Sequence, residues 1–555
     1  MAKKSSYDNW NKEDLIKEVE ALKKRKTYGL VWEEDKTKEV FDYYINWDGE
    51  GTKESFGEEE GKFPVLKEVK SKSIDNEDPK YNIMIEGDNY HTLAVLNFTH
   101  NKAIDVIYID PPYNRGGDFR YNDNYVKSDD PYKHSMWLSF MSKRLKLARE
   151  VLSKEGVLFV SIDDTEFAQL KILCDEIFGE NNVGVMVWRK SGEGRDGKMK
   201  NTTTYRIDHE YVIVCFKKNR ILNKILEKPH FQNKYPNPDN DPRGSYKAGS
   251  ISRIESASNK NHKNYYKVIS PSGKKFIRQF DIPKKEFERL NTDILENDKG
   301  EKVSRIYWGK NGDSVPAIKI FIEEERSITP YSILLNQGTT TEGTKEVNNI
   351  LNGDYSGMRP KPTTLVQTLI QLSSKKNSTI LDFFAGTGTT AHAVFKQNKK
   401  DGGKRKVIIC TNNEDNIATK VCYPRIKKVI GGYKDNFKYF KTDFVDSAPT
   451  DQNKKKIVDK STEMLCLKEN AFKPVVDKKG YKIFKNSDIH LGIIFKDEQI
   501  DKFIKEAKRI KGKFHIYIFS FDDSVPKEEF KEMEGRVKLC PIPEVILHVY
   551  RRIFK

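Results

Sequence analysis

The chain has 555 residues, 37% hydrophobic, 11% aromatic and 33% charged, which is too long for one core and too apolar for a disordered polymer, so three or four domains are expected. Lys and Arg total 99 against 82 Asp and Glu, a net charge of +17 that fits a polyanionic partner as well as it fits simple solubility. No run reaches the roughly 18 apolar residues of a membrane span, the opening MAKKSSYDNWNKEDL has no apolar signal core, and none of the six cysteines forms a CxxC pair; a membrane anchor and a zinc or disulfide framework are not expected, and a cytoplasmic protein is.

In chain order, residues 9–25 place Leu15, Val19 and Leu22 at helical spacing among charges, which predicts a surface or dimer-type helix. The Gly- and charge-rich stretch 48–62 reads as a linker, so 1–80 is an N-terminal helical segment and linker. From residue 81 strands and helices alternate: YNIMIEGD, helix NYHTLAVLNFTHNK, strand AIDVIYID, helix SMWLSFMSKRLKLAREVL, strand GVLFVSID, helix TEFAQLKILCDEIFG, then the strands VGVMVWR and HEYVIVCFKK. Residues 219–357 break that rhythm with short β-like runs in polar sequence and are expected to form an insert. The rhythm returns over 358–445 with helix PKPTTLVQTLIQLSS, strand STILDFFAG, helix TTAHAVFKQN and strand RKVIICTNN, and 446–555 is expected to be a separate small α/β unit. The alternation predicts an α/β fold with a doubly wound, mainly parallel sheet.

Two strings carry chemistry. Asp110-Pro111-Pro112-Tyr113 follows the apolar run VIYI, at the strand end where open α/β sheets bind ligands. The prolines stiffen the turn and lack N–H groups, so their carbonyls are fixed acceptors. A carboxylate beside a carbonyl suits an NH2 group, and Tyr113 offers a stacking face; an ordinary Asp-Pro-Pro turn is the bland alternative. The second string, Asp382-Phe-Phe384-Ala-Gly386-Thr-Gly388-Thr389-Thr390, is a glycine-bearing turn between a strand and a helix, where backbone can approach a nucleotide-like ligand closely.

The first string resembles the DPPY motif and the second the FxGxG motif of amino-methyltransferases. Their order along the chain, with a polar insert between, resembles the β group of that family. The resemblance implies a Rossmann-like S-adenosylmethionine-dependent methyltransferase sheet built from 81–218, the catalytic half, and 358–445, the cofactor half, with 219–357 as target recognition domain. It implies a flipped base stacked on Tyr113, its amino group bonded to Asp110 and the Pro111 carbonyl. It also implies S-adenosylmethionine held by the turn Asp382, Phe384, Gly386, Gly388 and Thr389. Asp88, after the preceding strand, and Lys361, in the Lys-Pro pair before a helix, resemble further cofactor positions, with a helix cap and a Pro at a helix start as the alternatives. Glu414, in TNNE, stands where relatives hold the ribose, though its Asn-Asn-Glu-Asp setting departs from the pattern.

The phrases IEGDNYHTL, IYIDPPYN, HSMWLSFMSKRLKLA, HEYVIVCF and CYPRIKKVIGGY resemble the modification subunits of type III restriction–modification systems over roughly residues 12–445. That implies N6-adenine methylation of double-stranded DNA without a metal, a homodimer, and a separate helicase–nuclease restriction subunit. An N4-cytosine methyltransferase, which usually has Ser in place of Asp110, and a stand-alone methyltransferase are the alternatives. His134, Trp137 and His209 fit either a base pocket or structural packing, and Tyr265, Tyr266 and Trp308 are expected to pack in the insert.

Overall fold

A computed structural model describes residues 12, 62–75, 81–115, 120–121, 124–125, 132–192, 205–228, 235–433, 435–446, 450–520 and 524–553. The expected helix 9–25, apart from residue 12, and the linker before residue 62 lie outside them. The chain divides into two compact units, Met1–Leu222 with Tyr331–Lys555, and Asn223–Pro330.

The first unit is built on a ten-stranded sheet. Its elements, in chain order, are β1 (Lys62–Glu68), β2 (Tyr81–Glu86), α1 (Asn89–Thr99), β3 (Ile104–Ile109), α2 (Lys133–Val151), β4 (Leu152–Ile162), α3 (Phe167–Phe178), β5 (Val183–Arg189) and β6 (His209–Phe216). The chain re-enters with β7 (Ile333–Leu334), α4 (Thr340–Leu351), α5 (Thr363–Ser373), β8 (Thr379–Asp382), α6 (Thr389–Asp401), β9 (Lys406–Thr411), α7 (Tyr423–Ile430) and β10 (Asn436–Asp446). The spatial order is β1-β10-β2-β9-β8-β3-β4-β6-β5-β7. From β10 to β4 every neighbouring pair is parallel, and β6 is antiparallel to both β4 and β5.

Strands β3 and β8 are near-continuous apolar runs because both faces of a central parallel strand are covered. Strands β8 and β9 come from the second chain segment yet stand between β2 and β3 of the first. From the β8/β3 pair the chain winds outward in opposite directions, which makes the junction a topological switch point, the place where open α/β sheets leave a crevice at their carboxyl edge.

The last hundred residues form α8 (Asp451–Asp459), α9 (Thr462–Glu469), α10 (Ile500–Lys508), α11 (Glu544–Ile553) and a five-stranded sheet spanning Lys473–Ile542. They share a core with the large sheet: Met464, Leu465, Ile546 and Leu547 cluster with Leu93, Leu96 and Phe98. The Tyr550 hydroxyl donates to the Pro64 carbonyl at 2.6 Å and Lys468 to that of Phe98 at 2.7 Å. Helix α1 is thereby covered on every side, all of its residues being buried, which explains why NYHTLAVLNFT carries no polar stripe.

The second unit has its own core of Ile251, Val268, Phe276, Phe280, Phe287, Leu290, Ile306 and Trp308. It is framed by the hairpin Tyr265–Ile269/Lys275–Gln279 and by a three-stranded sheet. Tyr266 stacks on Phe280 at 4.4 Å and Trp308 is buried, so both are packing residues. Among the described residues no helix is long and apolar enough to cross a membrane.

Candidate active site at the carboxyl edge of the sheet

Asp110 leaves the end of β3, and the loop behind it is fixed through Asn114 and Pro112. Asn114 adopts a left-handed backbone with φ 60°, tolerable for Asn, while its side-chain amide donates to Glu166 Oε1 at 2.6 Å. His134 Nδ1 meets the same Glu166 oxygen at 2.6 Å. The indole N–H of Trp137, fully buried in α2, donates to the Pro112 carbonyl at 2.7 Å. Trp137 and His134 are thus braces of the loop. Trp137 engages the second prolyl carbonyl, that of Pro112.

The Asp110 carboxylate accepts from the Tyr113 hydroxyl at 2.8 Å and, through both oxygens, from Lys361 Nζ at 2.9 and 3.0 Å. Glu210, near the start of β6, shares both donors. Its Oε2 lies 3.2 Å from the Tyr113 hydroxyl and 3.4 Å from Lys361 Nζ. Lys361 Nζ and Arg115 Cζ stand 4.8 and 5.0 Å from the Tyr113 ring centroid, and Arg115 Nε also pairs with Asp163 at 2.5 Å. Burial would lower the Lys361 pKa, but Asp110 and Glu210 outweigh it and the pKa is raised, so the ammonium stays charged. Burial, then the Asp110 and Glu210 carboxylates, push the Tyr113 phenol well above its usual range, so it remains a donor.

The glycine turn follows β8, the strand paired with β3. Asp382 is buried; its Oδ1 accepts from Phe384 N at 2.9 Å and its Oδ2 from the Thr390 hydroxyl. Burial, with a smaller push from Asp110 and against those two hydrogen bonds, raises its pKa to about 7. The two glycines do different work. Gly386, at φ +49°, would present a Cβ to open space, its nearest contact being the Phe384 carbonyl at 3.9 Å. Gly388, at φ +80°, would push a Cβ to 3.1 Å from Cys422 Sγ, so close packing as well as its left-handed backbone calls for glycine there. Thr389 starts α6, and its hydroxyl donates to the Lys361 carbonyl at 3.4 Å. Beneath the turn, buried Arg425 donates to the Thr387 and Thr389 hydroxyls at 3.1 and 3.0 Å.

Asp88 and Glu414 stand on the same edge of the sheet. Glu86, the last residue of β2, pairs with Thr411, the last of β9, and each carboxylate follows its strand. Asp88 caps α1 through Tyr90 N at 2.7 Å and pairs with Arg144 at 3.3 Å, its side chain still 40% exposed. Burial opposes ionisation there, but Arg144, His91 and the backbone N–H groups lower its pKa overall. Glu414 opens a 3-10 turn in which Asp415 and Asn416 adopt left-handed backbone.

The structure therefore gathers Asp110, Pro111, Pro112 and Tyr113 at one strand end and Asp382 to Thr389 at the next, with Asp88 and Glu414 along the same edge. The Lys361 side chain goes to Asp110; only its carbonyl meets the glycine turn. Glu210, Arg115 and Arg425 were not singled out from sequence. The available signal for Glu210 was a carboxylate in the otherwise apolar strand HEYVIVCF. His209 beside it meets the Tyr211 hydroxyl at 3.0 Å.

Residues 104–442 match the DNA methylase family. The Mod subunit of the type III restriction-modification enzyme StyLTI of Salmonella typhimurium is 30% identical over 417 residues, covering 70% of this chain and 61% of that one. The EcoPI Mod subunit of Escherichia phage P1 is 32% identical over 394 residues, covering 62% and 59%. The type II methyltransferase M.KpnI of Klebsiella pneumoniae is 33% identical over 355 residues, covering 61% and 82%. The chain spans about three fifths of the length of the two Mod subunits.

Proposed function

The chain belongs to the DNA methylase family, and from that premise we propose that it methylates N6 of adenine in double-stranded DNA with S-adenosylmethionine, as the modification subunit of a type III restriction–modification system. The observation that carries this reading is the pairing of Asp110 and Tyr113 at the end of β3 with an open glycine turn at the end of the adjacent β8. The residues fit the cofactor. Gly386 leaves free space where a side chain would stand, and Asp88 presents a partly exposed carboxylate on the same edge. Asp382, Phe384, Gly386, Gly388 and Thr389 would hold its amino-acid end, and Asp88 and Glu414 its nucleoside. When bound it supplies a methyl group on an electrophilic sulfonium.

The remaining work falls to the chain. An exocyclic amine is a poor nucleophile because its lone pair is conjugated with the ring. Hydrogen bonds donated by that amine to Asp110 and to the Pro111 carbonyl favour pyramidal nitrogen and free the lone pair. Tyr113 supplies a flat face on which a base flipped out of the duplex stacks. The loop braces Trp137, Asn114 and Glu166 keep these acceptors in place.

Target recognition falls in the insert 219–357, whose compact core is the second unit. The likeness to Mod subunits of type III restriction-modification enzymes supports a restriction subunit as partner, and the chain is proposed to act as a homodimer. The test is tritium transfer from labelled S-adenosylmethionine into DNA, followed by digestion to nucleosides. Label in N6-methyladenine is expected. Label in N4-methylcytosine would replace adenine by cytosine, and unlabelled DNA would overturn the proposal. Asp110 favours adenine, since the cytosine group usually carries Ser there.

A further inference from the structure

The acceptor site is already in use. Both Asp110 oxygens accept from Lys361 Nζ, at 2.9 and 3.0 Å, and one also accepts from the Tyr113 hydroxyl at 2.8 Å. The same ammonium lies 4.8 Å from the centroid of the Tyr113 ring. Three donor contacts already engage a carboxylate with roughly four lone-pair sites, so an amino group bonds fully to Asp110 as the ammonium gives way. Lys361 is buried, and stranding a buried ammonium without a counter-charge is prohibitive. Glu210 removes that obstacle, because its Oε2 is 3.4 Å from Nζ.

We propose that Lys361 is a displaceable plug on Asp110, and that Glu210 is the seat its ammonium takes when an adenine enters. This rests on the adenine-methyltransferase reading above. The exchange is donor for donor: an exocyclic NH2 replaces an ammonium on the same carboxylate. A base with a keto oxygen at that position has no proton to offer Asp110, so it cannot complete the exchange. The pair Lys361–Glu210 thereby becomes a positioning and selection device for amino-bearing bases. Other charges face the seat: Lys190 Nζ at 3.4 Å and Arg115 Nη2 at 3.7 Å from Glu210 Oε1. They hold Glu210 in place on the oxygen that Lys361 does not use.

The test uses the whole protein without added cofactor and a duplex carrying its methylation site, with 2-aminopurine beside the target adenine. The fluorescence of that reporter rises when its neighbour leaves the stack. Glu210→Gln should reduce the flipped fraction on the order of tenfold or more relative to wild type, because the displaced ammonium has lost its second buried charge partner. Adding Lys361→Met to Glu210→Gln should restore most of the signal, since the plug is gone. Wild-type flipping in Glu210→Gln, or a double variant no better than the single, would overturn the exchange. A wild-type protein that leaves no N6-methyladenine in DNA would instead overturn the proposed function, and the seat with it.

Discussion

Neighbouring strands β3 and β8 each deliver an aspartate to the same edge of the sheet, and the two are held in opposite ways. Asp110 sits against the ammonium of Lys361 at 2.9 Å. Among the described residues Asp382 is bonded to neutral donors, the Phe384 amide and the Thr390 hydroxyl, and burial raises its pKa to about 7. Asp110, the acceptor proposed for the base amine, thus has a cation beside it. Asp382, proposed to line the cofactor turn, is tied to that turn by two neutral donors instead. Residue type alone does not tell these jobs apart; the partners do.

The predictions probe that contrast. We predict the largest effect for Asp110→Ala: methyl transfer to DNA in single turnover should fall about a hundredfold or more, because one of two preorganised acceptors is lost. Activity within a few-fold of wild type would dissolve the distinction between the two aspartates. Tyr113→Ala should weaken transition-state binding by on the order of 1–3 kcal/mol through lost stacking, read as kcat/KM, with Tyr113→Phe retaining much of the rate. Equal losses in Ala and Phe would assign the work to the hydroxyl rather than the ring.

Trp137→Phe tests the brace behind Asp110. It strips the Pro112 carbonyl of its indole donor and should lower stability by about 1–3 kcal/mol, seen in denaturant unfolding. The smallest expected effect is a pH dependence. The Asp382 pKa is raised in the folded protein, about 7 against 3.8. The native state therefore holds the proton more tightly than the unfolded chain. That contribution is complete below the unfolded value and is lost as pH rises through the folded one. Relative to Asp382→Asn, the wild-type Tm should fall between these two values and level off above the upper one; a constant difference would refute the raised pKa.

Much of the frame was legible because buried parallel strands are written as apolar runs: VIYI before Asp110 and TIL before Asp382 stand out from any helix pattern. The glycine turn was legible because it needs residues that tolerate positive φ, and Gly386 and Gly388 both have it. Long-range partners were not. Lys361 and Asp110 lie 251 residues apart, and only the interleaving of β8 and β9 between β2 and β3 brings their segments together. A Lys-Pro pair before a helix therefore pointed to the cofactor side, while the ammonium itself lies on Asp110. Helix α1 was readable as a helix, but its complete burial depends on α9 and α11 from the far end of the chain.

The most direct test sets cofactor affinity beside methyl transfer in two variants, Asp110→Ala and Gly386→Asp. Calorimetry with S-adenosylmethionine and tritium transfer to DNA supply the two readings. The two readings should separate. Asp110→Ala binds cofactor like the wild type and loses transfer, whereas Gly386→Asp, with a charged side chain in the open space of the turn, stays folded and loses binding. Wild-type affinity in a folded Gly386→Asp, or loss of affinity in Asp110→Ala equal to that in Gly386→Asp, would contradict it.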